Sequence, residues 1–228
     1  MIKKLLSLLW NLRSPAEDIP SKPLELSFRS SNIIDSHDIH IEYTGKIPYG
    51  PCILVSNHLG YFDPLIISSI IPCRPIAKQE LISWPLFGKC MQRLGLIFVQ
   101  RGDVCSGFRA LKSSRAALLR GEKVLVFPEG TTSNGAQVLP FKRGLFGLSK
   151  RLNIPIVPIT VHFDDEDCCW WREEDDFLGH YMKQCKKNNI IVRMHIGEPQ
   201  SSANGETVEQ YKSFIHAIIS EELKRFRD

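Results

Sequence analysis

The sequence lacks several patterns that would assign it to a common class of protein at once. Its 228 residues contain no run of 18 apolar residues, so a membrane-spanning helix is not indicated. Its seven cysteines form no CxxC pair and follow no cleavable-signal pattern, so a reducing cytosolic environment fits best. A net charge of +4, without an Arg-rich run interleaved with aromatics, is too small to indicate nucleic acid. This mild basicity suits anionic ligands or an anionic membrane surface.

Two catalytic signatures are also missing. The sequence contains no GxSxG elbow, which disfavours a serine acyl-enzyme, and no GxxxxGK loop of the nucleotide-binding kind. No metal-ligand spacing recurs among its histidines and carboxylates, and we interpret the acid-rich stretch 164–176 as a solvated loop anchored by tryptophan. We therefore expect neither a cofactor nor a bound metal.

Strand and helix patterns alternate along the rest of the chain. The predicted strands are residues 24–28, 38–43, 51–55, 75–78, 96–99, 124–127, 154–161 and 190–196, the first two forming an edge hairpin. One predicted helix begins at Pro64, and three more cover residues 84–94, 106–119 and 206–226. This alternation predicts a single α/β domain over 23–228, with a mixed, mostly parallel central sheet flanked by helices.

The first 22 residues differ in composition from the domain that follows. A short, nearly all-round apolar segment flanked by Lys3, Lys4 and Arg13 leads into a Pro-rich connector. This segment predicts an amphipathic helix lying in a bilayer interface, with its basic residues at the lipid headgroups. A terminal helix packed on the core, or an inefficient signal sequence, fits the same residues.

The segment Ser56-Asn57-His58-Leu59-Gly60-Tyr61-Phe62-Asp63-Pro64 is the first candidate for chemistry. It follows a buried strand, and Gly60 and Pro64 oppose a continuous helix, on which His58 and Asp63 would lie about 140° apart. If the chain turns at Gly60 and a helix starts at Pro64, the carboxylate can fix one imidazole nitrogen and leave the other as a base. Asp63 before Pro64 is equally typical of a simple helix cap.

A second motif, Phe127-Pro128-Glu129-Gly130-Thr131-Thr132-Ser133, follows another buried strand. Its glycine and three hydroxyl side chains expose donors at the carboxyl end of the strand, where α/β sheets usually bind ligands. Alone, the stretch is as typical of an ordinary turn as of an anion site.

Together, His58-x4-Asp63 and FPEGT at 127–131 resemble the glycerolipid acyltransferase family, best known from the lysophosphatidate acyltransferases. Two weaker blocks occur in the order of that family: residues 95–101, ending in Arg101, and residues 154–158. The resemblance implies transfer of an acyl group from acyl-CoA or acyl carrier protein to the hydroxyl of a lysophospholipid. The apolar residues 1–12 with their basic flanks, in a sequence without a spanning segment, predict a peripheral or monotopic protein at the cytoplasmic face of a membrane.

Carried over by position, the resemblance assigns a role to each motif residue. His58 corresponds to the general base and Asp63 to its orienting partner. The acceptor-binding positions are Arg101, Glu129, Gly130, Thr131, Thr132 and Lys142.

One position departs from the family pattern. Many phosphatidate-forming relatives have arginine where this chain has Thr132, so one positive charge is missing from the headgroup loop. Lys142 and Arg143 could restore that charge, or the acceptor could be another lysolipid, such as a lyso-aminolipid. A His/Asp hydrolase and a non-catalytic lipid-binding module are the more distant alternatives.

Overall fold

The computed structural model describes residues 2–13, 21–83, 91–165, 170 and 176–228. The strands of its sheet are β1 Ile39–Gly45, β2 Ile53–Ser56, β3 Arg74–Lys78, β4 Ile97–Val99, β5 Val124–Val126, β6 Ile156–Phe163 and β7 Ile190–Ile196. The helices of the described part are α1 Ile2–Arg13, α2 Lys22–Ser36, α3 Asp63–Ile70, α4 Val104–Leu119, α5 Gly144–Leu152, α6 Phe177–Gln184 and α7 Val208–Arg227. A 3₁₀ turn covers Gln79–Ser83.

The sheet has the strand order β1-β7-β6-β2-β5-β3-β4. Five of its six neighbouring pairs are parallel, and only β6 with β7 is antiparallel. The predicted α/β class with a mixed, mostly parallel sheet is therefore confirmed. Every residue of β2 and β6 is buried, as expected of central strands covered by helices on both faces.

Two apolar cores lie on opposite faces of the sheet, and successive residues of β2 point into each of them. Leu54 packs with side chains of α1, α2, α3 and α6, whereas Ile53 and Val55 pack with α4, α5 and α7. The carboxyl ends of the parallel strands β2, β3, β4 and β5 thus meet at one edge between the two helical layers. Loops that leave this edge are brought together whatever their separation in sequence.

The predicted edge hairpin is wrong. Residues 24–28 belong to α2, which begins after Ser21, whose hydroxyl accepts from the Leu24 N–H, and carries a proline in its first turn. Strand β1 is a strand as predicted, but it pairs in parallel with β7 at the other end of the chain. Helices α5 and α6 were not predicted, and residues 84–90 of the predicted helix 84–94 lie outside the described residues.

Helix α1 packs on the domain along one face and exposes apolar side chains on the other. Leu8 is buried in the same core as α2, and Trp10 is 72% exposed. Lys4 is buried, and its ammonium donates to the carbonyl oxygens of His37 and Lys187 and to the amide oxygen of Asn188. The expectation that Lys4 reaches lipid headgroups is therefore wrong, because its three donors are taken up inside the protein.

Within the described residues, no helix combines the length and the apolar character needed to cross a bilayer.

Candidate active site

Asn57 directly follows β2, at the point where the backbone turns away from the sheet. Its side-chain amide donates to the Val161 carbonyl and accepts from the Val161 N–H, both at 2.8 Å. These two bonds replace the backbone pair that a longer β2 would make with β6. The main chain is therefore free to leave the ladder at His58 without losing hydrogen bonds to the buried neighbouring strand.

His58 and Asp63 meet as the sequence predicts. The distance from Nδ1 of His58 to Oδ2 of Asp63 is 2.8 Å, and the same oxygen accepts the N–H groups of Leu59 at 2.6 Å and Gly60 at 2.9 Å. A carboxylate can only accept, so Nδ1 carries the proton and Nε2 has a free lone pair. Asp63 is fully buried, whereas His58 faces a cavity with a side chain that is 19% exposed.

Residues of the second motif contact both the ring and the backbone of His58. The ring of Phe127 stacks on the ring of His58, with a centroid distance of 4.1 Å and an interplanar angle of 20°. One oxygen of Glu129 accepts the His58 backbone N–H at 2.8 Å, and the Ser133 N–H donates to the His58 carbonyl at 2.8 Å. The loops after β2 and β5 are thus joined at His58, and they leave adjacent parallel strands.

Glu129 is buried between two backbone donors and does not line the cavity. Its other oxygen accepts the Leu139 N–H at 3.0 Å, so both carboxylate oxygens are occupied by the protein itself. Burial raises the pKa of Glu129 to about 7, against the opposing effect of the Leu139 and His58 N–H groups, and the nearby charge of Asp63 raises it further. This placement suits a residue that positions the His58 loop.

Glu129→Gln should separate that positioning role from acceptor binding. An amide oxygen can take only one of the two N–H groups, so we expect a loss of about 1–3 kcal/mol in unfolding free energy and a fall in kcat. The acceptor KM should stay within about twofold, because the side chain does not face the cavity. A rise in acceptor KM with unchanged kcat would instead support the role implied by the family resemblance.

The raised pKa of Glu129 gives this variant a pH signature. Between about pH 4.5 and 7 the native protein binds more protons at Glu129 than the unfolded chain does, so the contribution of this group to stability falls as pH rises. The stability difference between wild type and Glu129→Gln should therefore narrow from pH 5 to 7.5 in denaturant titrations.

The other loop residues occupy different places. Gly130 has a φ of +71°. A Cβ at this position would lie 2.6 Å from Nζ of Lys142, because the Lys142 side chain packs against the Gly130 backbone. Gly130, Thr132 and Lys142 line the cavity, whereas Thr131 does not. A side chain at position 130 would therefore displace the lysine and strain the backbone.

The cavity in front of His58 has a volume of about 520 Å³, within the usual range for small-ligand sites. Its walls come mainly from apolar side chains of α1, α2, α3, β3, α4 and α5. Leu8 and Leu26 line the cavity from the helical layer that contains α1 and α2. Leu111 and Phe146 line it from the layer that contains α4 and α5. Such a volume can hold an alkyl chain with its reactive end beside the imidazole.

Three cations line this cavity close to the carboxyl edge of the sheet: Lys78 at the end of β3, Arg101 after β4, and Lys142. Lys142 is exposed, and the other two are half-buried. Arg101 and Lys142, two of the acceptor-binding positions that the resemblance implies, thus line the cavity. Lys78 was not predicted as a site residue. Its position at the end of the predicted strand 75–78 was the signal that could have identified it.

The described cysteines near the sheet are poorly suited to nucleophilic chemistry. Cys52 and Cys73 are buried, and burial raises the pKa of each thiol to about 12. Ser56 is buried as well, and its hydroxyl donates to the Asn57 carbonyl. Among the described residues, no three side chains of His, Cys, Asp or Glu gather into a metal-ligand group.

The structure thus places an oriented imidazole beside an apolar cavity at the carboxyl edge of an α/β sheet, an arrangement suited to acid–base chemistry on a bound ligand. The profile of the Acyltransferase family matches residues 38–162, which contain both motifs. The chain therefore belongs to the acyltransferase family, as the two motifs indicated.

Individual relatives share the same region. The chain is 27% identical over 184 residues to a lyso-ornithine lipid O-acyltransferase of Pseudomonas aeruginosa, covering 78% of this chain and 70% of the relative. It is 38% identical over 119 residues to the human 1-acyl-sn-glycerol-3-phosphate acyltransferase alpha, covering 50% of this chain and 41% of the relative. A 1-acyl-sn-glycerol-3-phosphate acyltransferase of Neisseria meningitidis is 31% identical, with 59% of this chain and 53% of the relative covered. The match thus spans about half of the length of the last two proteins.

The fold matches a solved structure over nearly its whole length. The crystal structure of the 1-acyl-sn-glycerophosphate acyltransferase PlsC from Thermotoga maritima superposes with a TM-score of 0.68. The superposition covers 99% of this chain and 89% of that one, at 19% sequence identity. At this level of identity the likeness concerns the fold.

Proposed function

We propose that this protein transfers a fatty acyl group from a thioester donor, acyl-CoA or acyl carrier protein, to the hydroxyl of a lysophospholipid. The observation that carries the proposal is the free Nε2 of His58, which lies at the wall of an apolar cavity and makes no hydrogen bond with the described residues. Membership of the acyltransferase family supports the same reaction class.

In the proposed reaction the acceptor hydroxyl attacks the thioester carbonyl directly. Nε2 of His58 takes the hydroxyl proton as the C–O bond forms, and Asp63 stabilises the imidazolium through Nδ1. The tetrahedral intermediate then collapses, the C–S bond breaks, and the imidazolium returns the proton to the departing thiolate. One ester and one thiol result, with no cofactor consumed.

The charges around the cavity favour an anionic acceptor headgroup. Lys78, Arg101 and Lys142 line it, as does Asp103, whose carboxylate accepts the Cys105 N–H and lies 3.6 Å from the Arg109 guanidinium. A phosphomonoester can accept several charge-assisted hydrogen bonds from such a set, whereas a zwitterionic aminolipid would place its ammonium among cations. Lys78 and Lys142 thus supply the positive charge that Thr132 does not. We therefore propose 1-acyl-glycerol-3-phosphate as the acceptor.

A panel of acceptors tests this assignment. Purified protein should be incubated with labelled acyl-CoA and, in separate reactions, lysophosphatidate, lysophosphatidylcholine and lyso-ornithine lipid, with the products identified by mass. We expect kcat/KM for lysophosphatidate to exceed that for lyso-ornithine lipid at least tenfold. The reverse order would assign the acceptor to the aminolipid class. No diacyl product from any acceptor, with acyl-CoA and then with acyl carrier protein as the donor, would refute the proposed activity.

Arg101→Ala should weaken the acceptor more than the donor. Loss of a charge-assisted hydrogen bond costs roughly 1.5–3 kcal/mol, which corresponds to a rise in acceptor KM of roughly 10- to 100-fold. Lys142→Ala should act in the same direction, and Arg143→Ala serves as its matched control, because Arg143 is exposed and does not line the cavity. Equal changes in donor and acceptor KM would remove Arg101 from the headgroup site.

We also propose that the protein works at the cytoplasmic face of a membrane as a peripheral or monotopic enzyme. Helix α1 exposes two apolar side chains four residues apart, Leu6 and Trp10. Helix α2 exposes a second pair at the same spacing, Leu24 and Phe28. Such pairs lie on one face of a helix and can enter a bilayer interface. Because Leu8 of α1 lines the cavity, deletion of residues 1–13 would open the substrate site as well as remove membrane contacts. The boundary between residues 1–22 and 23–228 stays a prediction.

A further inference from the structure

Helix α4 exposes a combination of side chains that the acyl-transfer reaction does not use. Val104 is 71% exposed and Phe108 is 67% exposed, although both are large apolar residues. They are four residues apart, so they share one face of the first helical turns. The buried face of the same helix consists of other residues, Ser106, Ala110, Ser114, Ala117 and Leu118.

The outer face of α4 is also basic. The sixteen residues of the helix include Arg109, Lys112 and Arg115, all exposed, and no aspartate or glutamate. The carboxylate of Asp103 at the N-cap lies 3.6 Å from Arg109, so α4 with its N-cap carries three cations against one carboxylate. Apolar side chains bordered by cations are typical of a helix that lies on an anionic lipid surface.

The position of α4 connects this face to the substrate cavity. Gly107, Ala110 and Leu111 line the cavity from the inside, so the exposed face is the outer side of a cavity wall. Helices α1 and α2 form another wall, with Leu8 and Leu26 inside and Trp10 and Phe28 exposed outside. Two walls of one cavity thus expose apolar side chains, as expected if a lipid layer supplies the substrate.

We propose that Val104, Phe108, Arg109 and Lys112, here called the α4 patch, form a second docking surface for an anionic bilayer, in addition to α1 and α2. The proposal rests on the proposed function insofar as the acceptor is a membrane lipid. Apolar insertion by Val104 and Phe108 supplies affinity for any bilayer, and the two cations supply the preference for anionic headgroups. An acidic acyl carrier protein could meet the same charges, and the experiment below distinguishes the two.

The test uses the full chain and sedimentation with vesicles of phosphatidylcholine, either alone or with 30 mol% phosphatidylglycerol. The double variant Val104→Ser/Phe108→Ser should lower the partition coefficient at least tenfold on both vesicle types. Arg109→Ala/Lys112→Ala should lower it roughly fivefold per charge on the anionic vesicles and leave it unchanged on the neutral ones. Phe214→Ser is the matched control, because Phe214 is 49% exposed on α7, a helix that contributes no residue to the cavity wall. The control should bind as wild type does.

If both double variants bind vesicles at the wild-type level, the α4 patch is not a docking surface for a bilayer. Unchanged vesicle binding with activity lost only when an acyl carrier protein replaces acyl-CoA would lead to the same conclusion, since the patch would then dock the donor. If the serine variant does not fold, which thermal melting would reveal, the Arg109→Ala/Lys112→Ala variant decides alone. A protein without activity on any acceptor refutes the proposed function, whereas vesicle binding still tests the patch on its own.

Discussion

His58→Ala should lower kcat by roughly 10²- to 10⁴-fold, the range expected when a general base is removed. The acceptor hydroxyl would then have to attack the thioester with water as its only proton acceptor. The KM values of donor and acceptor should change little, because the imidazole contributes one wall of a cavity lined by many other residues. Steady-state kinetics with saturating acyl-CoA and lysophosphatidate measure this loss.

His195→Ala provides the matched control for that measurement. His195 lies on β7, and within the described part of the chain its ring bonds only to the Thr44 hydroxyl, at 2.8 Å. Its removal should leave kcat within about twofold of wild type. If His58→Ala retains more than a tenth of wild-type turnover while melting at the same temperature, His58 is not the general base.

Asp63→Asn should cause the second large loss, about 10²-fold in kcat. The amide oxygen can still accept from the imidazole Nδ1–H and from the N–H groups of Leu59 and Gly60, so the shape of the turn is kept. What the variant loses is the negative charge that stabilises the imidazolium in the transition state. Asp63→Ala should lose more, because the His58 ring and two buried N–H groups then lack an acceptor.

The pair of Asp63 variants distinguishes charge from geometry. If Asp63→Asn is as active as wild type, while Asp63→Ala is inactive and unstable, the carboxylate serves only to shape the turn. The measurement is kcat for both variants, with denaturant titrations to record their unfolding free energies.

The contact between His58 and Asp63 could be predicted from sequence because its determinants are local. Gly60 permits the turn and Pro64 favours the start of α3, and these residues lie within a single loop. The strands that carry the two motifs were predictable for a similar reason, since runs such as 124–127 are apolar throughout. Their parallel pairing then brings His58 and Glu129 together from positions 71 residues apart.

The wrong predictions arise where pairing or packing is long-range. Leu24, Leu26 and Phe28 alternate as in a strand, yet α2 buries Leu26, Ile33 and Ile34 at helical spacing, and packing decides the outcome. Strand β1 pairs with β7, whose residues lie 151 positions further along the chain, and no local sequence pattern identifies that partner.

The orientation of the Glu129 carboxylate and the existence of the cavity also could not be predicted from the sequence. A motif position does not reveal whether a carboxylate faces ligand or backbone, and both oxygens of Glu129 bond to backbone N–H groups. The cavity is lined by residues from helices α1 to α6 and from strands β3, β4 and β5, so it exists only in the assembled fold.

The central claim, direct attack by the acceptor with His58 as base, is tested most directly by intact-protein mass spectrometry. The purified protein should be mixed with acyl-CoA in the absence of acceptor, quenched at times from milliseconds to minutes, and weighed. The account predicts unmodified protein at every time, and rapid formation of diacyl product once lysophosphatidate is added. A species heavier by one acyl group, mapped to Ser56 or to a cysteine and consumed on addition of acceptor, would contradict it.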